Sequence, residues 1–447
     1  MKKSLLFSFF FLLIAGVFAQ KPVFFGQKIK DYNQSQELQE QFSEFFIYEI
    51  DVAALYQLVR SEQATTYFKL QLQNDFEWDL SIYPHELRGK NYQLRIAQAD
   101  GIHSVDPGPV KTFRGNVAGQ YQTSTLTIDE NCLYGVIKTG AAEYLIEPVN
   151  YFVKGAPDNV FVIYDAEDVI KKEFGDCALV EIEEKTQEIR QTIDQELHEH
   201  GERLLIDCHE IPIALAADWS MVTKFGTSAA ASNHILGVLN NVAGNYDDEF
   251  QDQMFLFNSD MFISGCSSCD PWSSTTDAGD LLDDFRSWGN GGGFGPTADY
   301  ATSTLWTNRN LAGSTIGIAY LNAICNSLRY SVCQDFTSNA QQLRVLQAHE
   351  LGHNFSSNHD ASGAPFIMAP AVNTSTQWST QSINSINNYV NNRQNVPGCF
   401  NPCTGGGNPP IADFTSNHSN PICTGTAVQF FDLSTDNPTS WLWSFPG

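Results

Sequence analysis

His349, Glu350 and His353 spell HExxH, and His359 follows six residues after the second histidine. On a helix, positions i and i+4 share a face, so His349 and His353 present two imidazoles side by side, as a tetrahedral metal requires. Glu350 stands beside that pair, and His359 is a candidate third ligand. Three protein ligands leave a fourth position for water, the arrangement of a catalytic zinc, whereas a structural zinc is usually closed by four ligands. Bound zinc lowers the pKa of such a water toward neutrality, and a carboxylate one residue along the helix can take the proton as the water attacks a carbonyl. These residue types in this spacing point to peptide-bond hydrolysis.

Such chemistry needs a rigid helix and a sharp turn after it. Leu343, Leu346, Leu351 and the two histidines recur at three- and four-residue intervals with no proline before Pro365, which predicts a helix from Gln341. The chain must then double back to bring His359 to the pair. Elsewhere, alternation over residues 67–72 and 92–96 predicts strands. A helix over 229–246 places Ile235, Leu236, Leu239 and Val242 on one face, and another begins at a Ser379 cap with Ile383, Ile386 and Val390 inward.

The chain has 447 residues, enough for two to four domains, with 42% apolar and 17% charged residues as in globular proteins. Its net charge of −26 argues against nucleic acid or an anionic membrane as a main partner. Residues 1–19 read as a secretory signal peptide: Lys2 and Lys3, an apolar run over 5–14, then Val17 and Ala19 before cleavage. That run is too short to span a bilayer and no other stretch is long enough, so a secreted, extracellular protein without stable membrane insertion is expected. Ten cysteines then read mainly as disulfides. Cys266 and Cys269, in CSSC, form either a metal knuckle or a loop disulfide. Residues 181–203 are charged and helix-prone without an apolar face, as in an accessible connector open to cleavage, and 401–410 is a Gly/Pro linker.

HELGHNFSSNHD followed by FIMAP resembles the metzincin metallopeptidases, in particular the adamalysin or reprolysin branch that includes snake-venom and ADAM-type proteases. The resemblance implies His349, His353 and His359 as zinc ligands, Glu350 as general base and Met368 as the turn methionine under the metal. Asp360 stands at the aspartate that marks this branch. Ser356 departs from the family glycine, which takes a left-handed conformation without penalty where serine pays about 1 kcal/mol. The resemblance therefore implies a strained turn, a shifted one, or one moved to Asn358, and the third ligand's geometry stays open. IPIALAADWSMVTKFG, LLDDFRSWGN and ADYATSTLWTNRNLAGSTIGIAYLNAIC extend the likeness over 204–400. This implies an α+β catalytic domain, a mixed twisted sheet with an active-site helix. It also implies a disulfide between Cys325 and Cys399. Ser314, Thr315, Ile316, Gly317, Ile318 and Ala319 would form the edge strand along which an extended substrate lies antiparallel; the alternative is an ordinary central strand. Some family members hold calcium near this terminus. Asp299, the Cys399 carbonyl and Asn401 are the candidates, although the acid of the first strand is replaced by Pro212.

Residues 115–149, GNVAGQYQTSTLTIDENCLYGVIKTGAAEYLIEPV, resemble an adamalysin-type propeptide, so 20–203 is expected to be a β-rich prodomain of a zymogen. Cys177, in FGDCALVE, is the candidate switch thiol that blocks the zinc; a disulfide with Cys132 is the alternative. Residues 411–447, with alternating Trp441, Trp443 and Phe445, resemble the first half of a polycystic-kidney-disease (PKD) domain, a truncated β-sandwich able to contact a surface polymer or protein. The expected whole is a secreted zinc endopeptidase acting on proteins or peptides. Its rival is a catalytically impaired zinc-binding adhesion protein on the same scaffold, motivated by Ser356.

Overall fold

The computed structural model describes residues 21–61, 65–120, 122–140, 142–170, 175–177, 208–250, 254–394, 396–402, 414–416 and 430–432. The expected signal peptide over 1–19, the expected connector over 181–203, the expected linker beyond residue 402, and Trp441, Trp443 and Phe445 lie outside them. Strands β1 (Val23–Lys28), β2 (Phe46–Ile50), β3 (Thr66–Leu72), β4 (Phe76–Pro84), β5 (Arg88–Gln98), β6 (Gly101–Val105), β7 (Thr112–Val117), β8 (Ser124–Asp129), β9 (Cys132–Thr139), β10 (Ala142–Pro148) and β11 (Val160–Asp165) make up the first region, with helices α1 (Gln36–Gln39) and α2 (Val52–Ser61). All but β5 and β6 close into a barrel in the order β1-β2-β11-β10-β9-β8-β7-β4-β3, sealed by a parallel β1–β3 pair. Alternation explains its interior: Phe68, Leu70 and Leu72 of β3 point inward to meet Trp78, Leu80 and Ile82 of β4, and the barrel is filled by side chains.

The second region continues with β12 (His209–Ala217), α3 (Trp219–Phe225), α4 (Ser228–Phe250), β13 (Met254–Ser264), α5 (Ala278–Asn290), β14 (Thr302–Thr307), β15 (Gly317–Ala319), β16 (Tyr330–Gln334), α6 (Ala340–Asn354), α7 (Thr380–Arg393) and β17 (Asn401–Pro402). Its sheet runs β15-β16-β14-β12-β13-β5-β6, with β17 paired to β12. The β12–β13, β12–β14, β14–β16 and β13–β5 pairs are parallel, and β15 and β6 are the antiparallel margins. Central strand β12 is covered on both faces, so it reads as a nearly continuous apolar run. Ile211, Ile213 and Leu215 pack with α4 and α6, while Ala214 and Ala216 face Leu281, Leu282 and Phe285 of α5.

Residues 92–96 do form strand, within β5, but β5 belongs to this second sheet and not to the barrel. Alternation reveals a half-buried strand without naming its neighbour. The barrel rests on α4, where Asn240 and Asn241 hydrogen-bond with Arg114, Leu126, Thr127 and Thr125. Cys266 is bonded to Cys269, which removes the metal-knuckle alternative, and Cys325 is bonded to Cys399. Neither Cys132 nor Cys177 is in a disulfide, so the proposed alternative pairing of the two is corrected. Cys132 lies in the barrel strand β9 beside the Tyr151 hydroxyl, while Cys177 lies at the second region's sheet edge. Strands β18 (Phe414–Ser416) and β19 (Phe430–Asp432) form an antiparallel pair. No helix among the described residues is long and apolar enough to cross a membrane.

Candidate active site

Helix α6 starts at Asn339, whose side chain accepts the Gln342 N–H, and every residue from Ala340 to Asn354 is buried. The Tyr246 hydroxyl of α4 donates to the Ala348 carbonyl, and Asn354 ties the helix end to Thr302 and to the Tyr320 carbonyl. The two imidazoles are thus fixed in the core and do not wave on a surface helix. Past the helix, Ser356 takes φ 78°, a left-handed conformation. The Ser356 N–H donates to His353 O and the Ser357 N–H to Gly352 O, the paired bonds of a Schellman cap. Of the turns the sequence allowed, the strained one at Ser356 forms, and His359 reaches the pair.

The three Nε2 atoms converge: 2.9 Å between His349 and His353, 3.2 Å between His353 and His359, and 3.2 Å between His349 and His359. The Nδ1 atoms of His349 and His353 lie 2.8 and 2.7 Å from the Ile367 and Ser357 carbonyls. A carbonyl only accepts, so each Nδ1 carries the proton and each Nε2 keeps its lone pair. Burial holds the His349 ring near pKa 3 and pushes His353 well below the usual imidazole range, so both are neutral. The His349 and His353 lone pairs face each other and the His359 ring nitrogen with no proton between the first two, an arrangement that calls for a cation. Tetrahedral zinc bound at about 2.0–2.1 Å by nitrogen would set them slightly more than 3 Å apart. The donor set therefore fits zinc.

Cys177 completes the cluster. Its Sγ and the three imidazoles offer ligand atoms within 4.8 Å of one another, the group among the described residues able to hold a metal. The thiol also donates to Glu350 Oε2 at 3.6 Å. Glu350 is fully buried, which pushes its carboxyl up to about 8, and its Oε1 has no hydrogen-bond partner. Oε1 occupies the space over Gly317, where any side chain would collide with it. Met368 is buried beneath the helix: a Cβ on Gly352 would lie 2.5 Å from its Sδ. Its carbonyl accepts the Asp360 N–H, and Asp360 accepts the hydroxyl of Ser379, the α7 cap.

Strand β15 stands at the sheet margin, not its centre, and Ser314, Thr315 and Ile316 lead into it as loop. Residues 176 and 177 lie against it. Cys177 is bridged to Gly317 in parallel and Asp176 to Ala371 antiparallel, while the Cys177 N–H donates to Pro370 O and the Ile316 N–H to Asp176 O. A groove one strand wide thus runs between Gly317 and Pro370, filled by 175–177. Gly175 fits because a Cβ there would strike Ser314 O. The sequence reading missed this second wall, the two carbonyls that orient the histidines, and the role of Gly352. Its only trace of the last is a glycine inside an otherwise strong helix.

Residues 209–399 match metallo-peptidase family M12, in the group called Reprolysin_5. The M12-like segment thus contains every residue of the cluster except Cys177. A zinc metalloproteinase-disintegrin-like protein of Cerberus rynchops is 26% identical over 282 residues, or 62% of this chain and 44% of the relative. The aligned stretch is longer than the M12-like segment, and the chain spans less than half the length of this curated relative.

Proposed function

We propose that this chain is a secreted zinc endopeptidase of the adamalysin-like metzincin type, made as a zymogen with residues 20–203 as its propeptide. The observation that carries the reading is the convergence of three imidazole Nε2 atoms, two of them on neutral rings with the proton on Nδ1, beside a buried, half-partnered Glu350. Zinc held by His349, His353 and His359 would supply Lewis acidity, acidifying a water and polarising a carbonyl. Glu350 then acts as general base: its carboxylate takes the proton of the attacking water and later returns it to the leaving amine. Backbone groups of Gly317, Ile318 and Ala319 on one wall, and of Pro370 and Ala371 on the other, grip an extended protein or peptide substrate laid antiparallel to β15.

Residues 176–177 run parallel to β15, the reverse of that substrate polarity, and their thiol sits on the metal cluster. This supports Cys177 as the switch that keeps the enzyme latent until the connector is cut. Surface contacts through 411–447 complete the reading, while Pro212 in place of the first-strand acid weighs against calcium at Asp299, Asn401 and the Cys399 carbonyl.

The test uses the full chain carrying an inserted protease site in the connector, with casein as substrate. Cutting should release activity that Glu350→Ala lowers by about 10²–10⁴-fold and that a zinc chelator removes. Cys177→Ser should raise the activity of the uncut chain, short of the cut level because the backbone of 175–177 still fills the groove. A folded, zinc-loaded protein that stays inert after cutting would instead support the impaired adhesion protein.

A further inference from the structure

Strands β4 and β7 pair directly with each other, from Leu80 opposite Val117 to Pro84 opposite Phe113, and the barrel closes without anything between them. The β5–β6 hairpin is therefore an arm inserted into the barrel sequence, and the sheet partner it finds is β13. Its seat is specific in three ways. Gln93, Leu94, Arg95, Ile96 and Ala97 lie parallel and in register with residues 260–264. Leu94 and Ile96 pack into the apolar cluster that contains α4, whereas Ala97 joins the α5 cluster on the opposite face. Between them, the Arg95 guanidinium reaches Asp260 Oδ1 at 3.1 Å and also donates to the Phe294 carbonyl. Both charged side chains are nearly buried, at 11% and 6% exposure.

A buried carboxylate beside a main-chain carbonyl suits the multi-donor fork of arginine better than the single ammonium of lysine. Unpaired backbone on the β13 side supplies affinity that does not depend on sequence, and the pockets for alternate side chains supply selectivity.

We propose that the β13 edge is a peptide-docking site, separate from the catalytic groove, for an extended segment bearing an arginine between aliphatic residues, with Asp260 as the arginine's acceptor. The hairpin is its built-in occupant. Resting on the reading that residues 20–203 separate from the peptidase, the vacated edge takes the same pattern from protein substrates in trans.

The direct experiment replaces residues 91–105 of the full chain by a short Gly/Ser linker, which leaves the β4–β7 pair in place, and titrates a fluorescent peptide of residues 88–105. Saturable binding is expected, at least tenfold weaker for the Arg95→Ala peptide, and Asp260→Asn in the chain should shrink that difference to what the Phe294 carbonyl still contributes. Equal binding of both peptides, or no binding by a folded chain, overturns the proposal. Should the shortened chain fail to fold, hydrogen exchange on the intact chain decides: Arg95→Ala and Asp260→Asn should each lower amide protection at 93–97 while β12 and β14 stay protected. Unchanged protection overturns it. These readouts are of binding alone, so they stand or fall independently of casein cleavage.

Discussion

Ser356 shows how one residue can be both strained and tolerated. Its left-handed φ places Ser357 so that the Ser357 carbonyl meets His353 Nδ1, and the turn thereby orients a candidate ligand. Ser356→Gly should keep the two capping bonds and relieve about 1 kcal/mol. A melting midpoint higher by about 2–4 °C, with unchanged zinc content, is the expected result; a lower midpoint would mean the serine side chain has a use the backbone does not reveal. Gly317→Ala makes the opposite demand, because its methyl would occupy the site of Glu350 Oε1 and crowd Leu346. Turnover should drop by about 10² or more while zinc stays bound, and a variant of normal turnover would remove Glu350 from its assigned role. Residue types and spacings marked His349, Glu350, His353 and His359 as candidates, the family likeness added Met368, and the fold brings the three histidines and Glu350 together. The carbonyls of Ile367 and Ser357 were not legible in the sequence, since every residue has one and only the fold says which is aimed where.

At the scale of elements, α4, α6 and α7 follow from their apolar spacing, because a helix face repeats within a few residues. What caps α6 from outside does not. Glu147, at the end of β10, accepts the Ala340 N–H at the start of α6 and the Tyr164 hydroxyl with one oxygen, while the other is buried without a partner. Burial pushes its carboxyl up to about 8 from a usual 4.5, with Asp335 adding to the rise and Tyr164, the Ala340 N–H and Lys224 opposing it. A raised folded pKa means stability that is complete below about pH 4.5 and is lost as pH rises through about 8. Glu147→Gln keeps the accepting oxygen and cannot ionise. Its melting midpoint should fall less than that of the wild type across pH 5–8, with Glu350 contributing to the remaining slope, and should exceed the wild-type value at pH 8. A variant weaker than wild type at pH 8 would show instead that an anion is preferred at that helix end.

Across the whole molecule, the β5–β6 arm, the asparagine row of α4 and the Arg344–Glu143 ion pair join the barrel to the second region. One calorimetric transition is expected for the intact chain. Removing a metal held at a thousand times its dissociation constant costs about 4 kcal/mol, so a chelator should lower that single transition as a unit. Two transitions, only one of them sensitive to chelation, would mean the regions are energetically separate. Composition and likeness suggested a boundary near residue 204, but the pairing of β5 with β13 across it was not legible, because pairing over such a separation leaves no local pattern. That separation also sets a clock during synthesis. At about 5–20 residues per second, Leu94 and Ile96 leave the ribosome on the order of ten seconds or more before β13 exists to receive them. The arm must spend that interval sticky and unpaired, and a nascent chain of this protein would be a natural client for a chaperone that holds extended aliphatic segments.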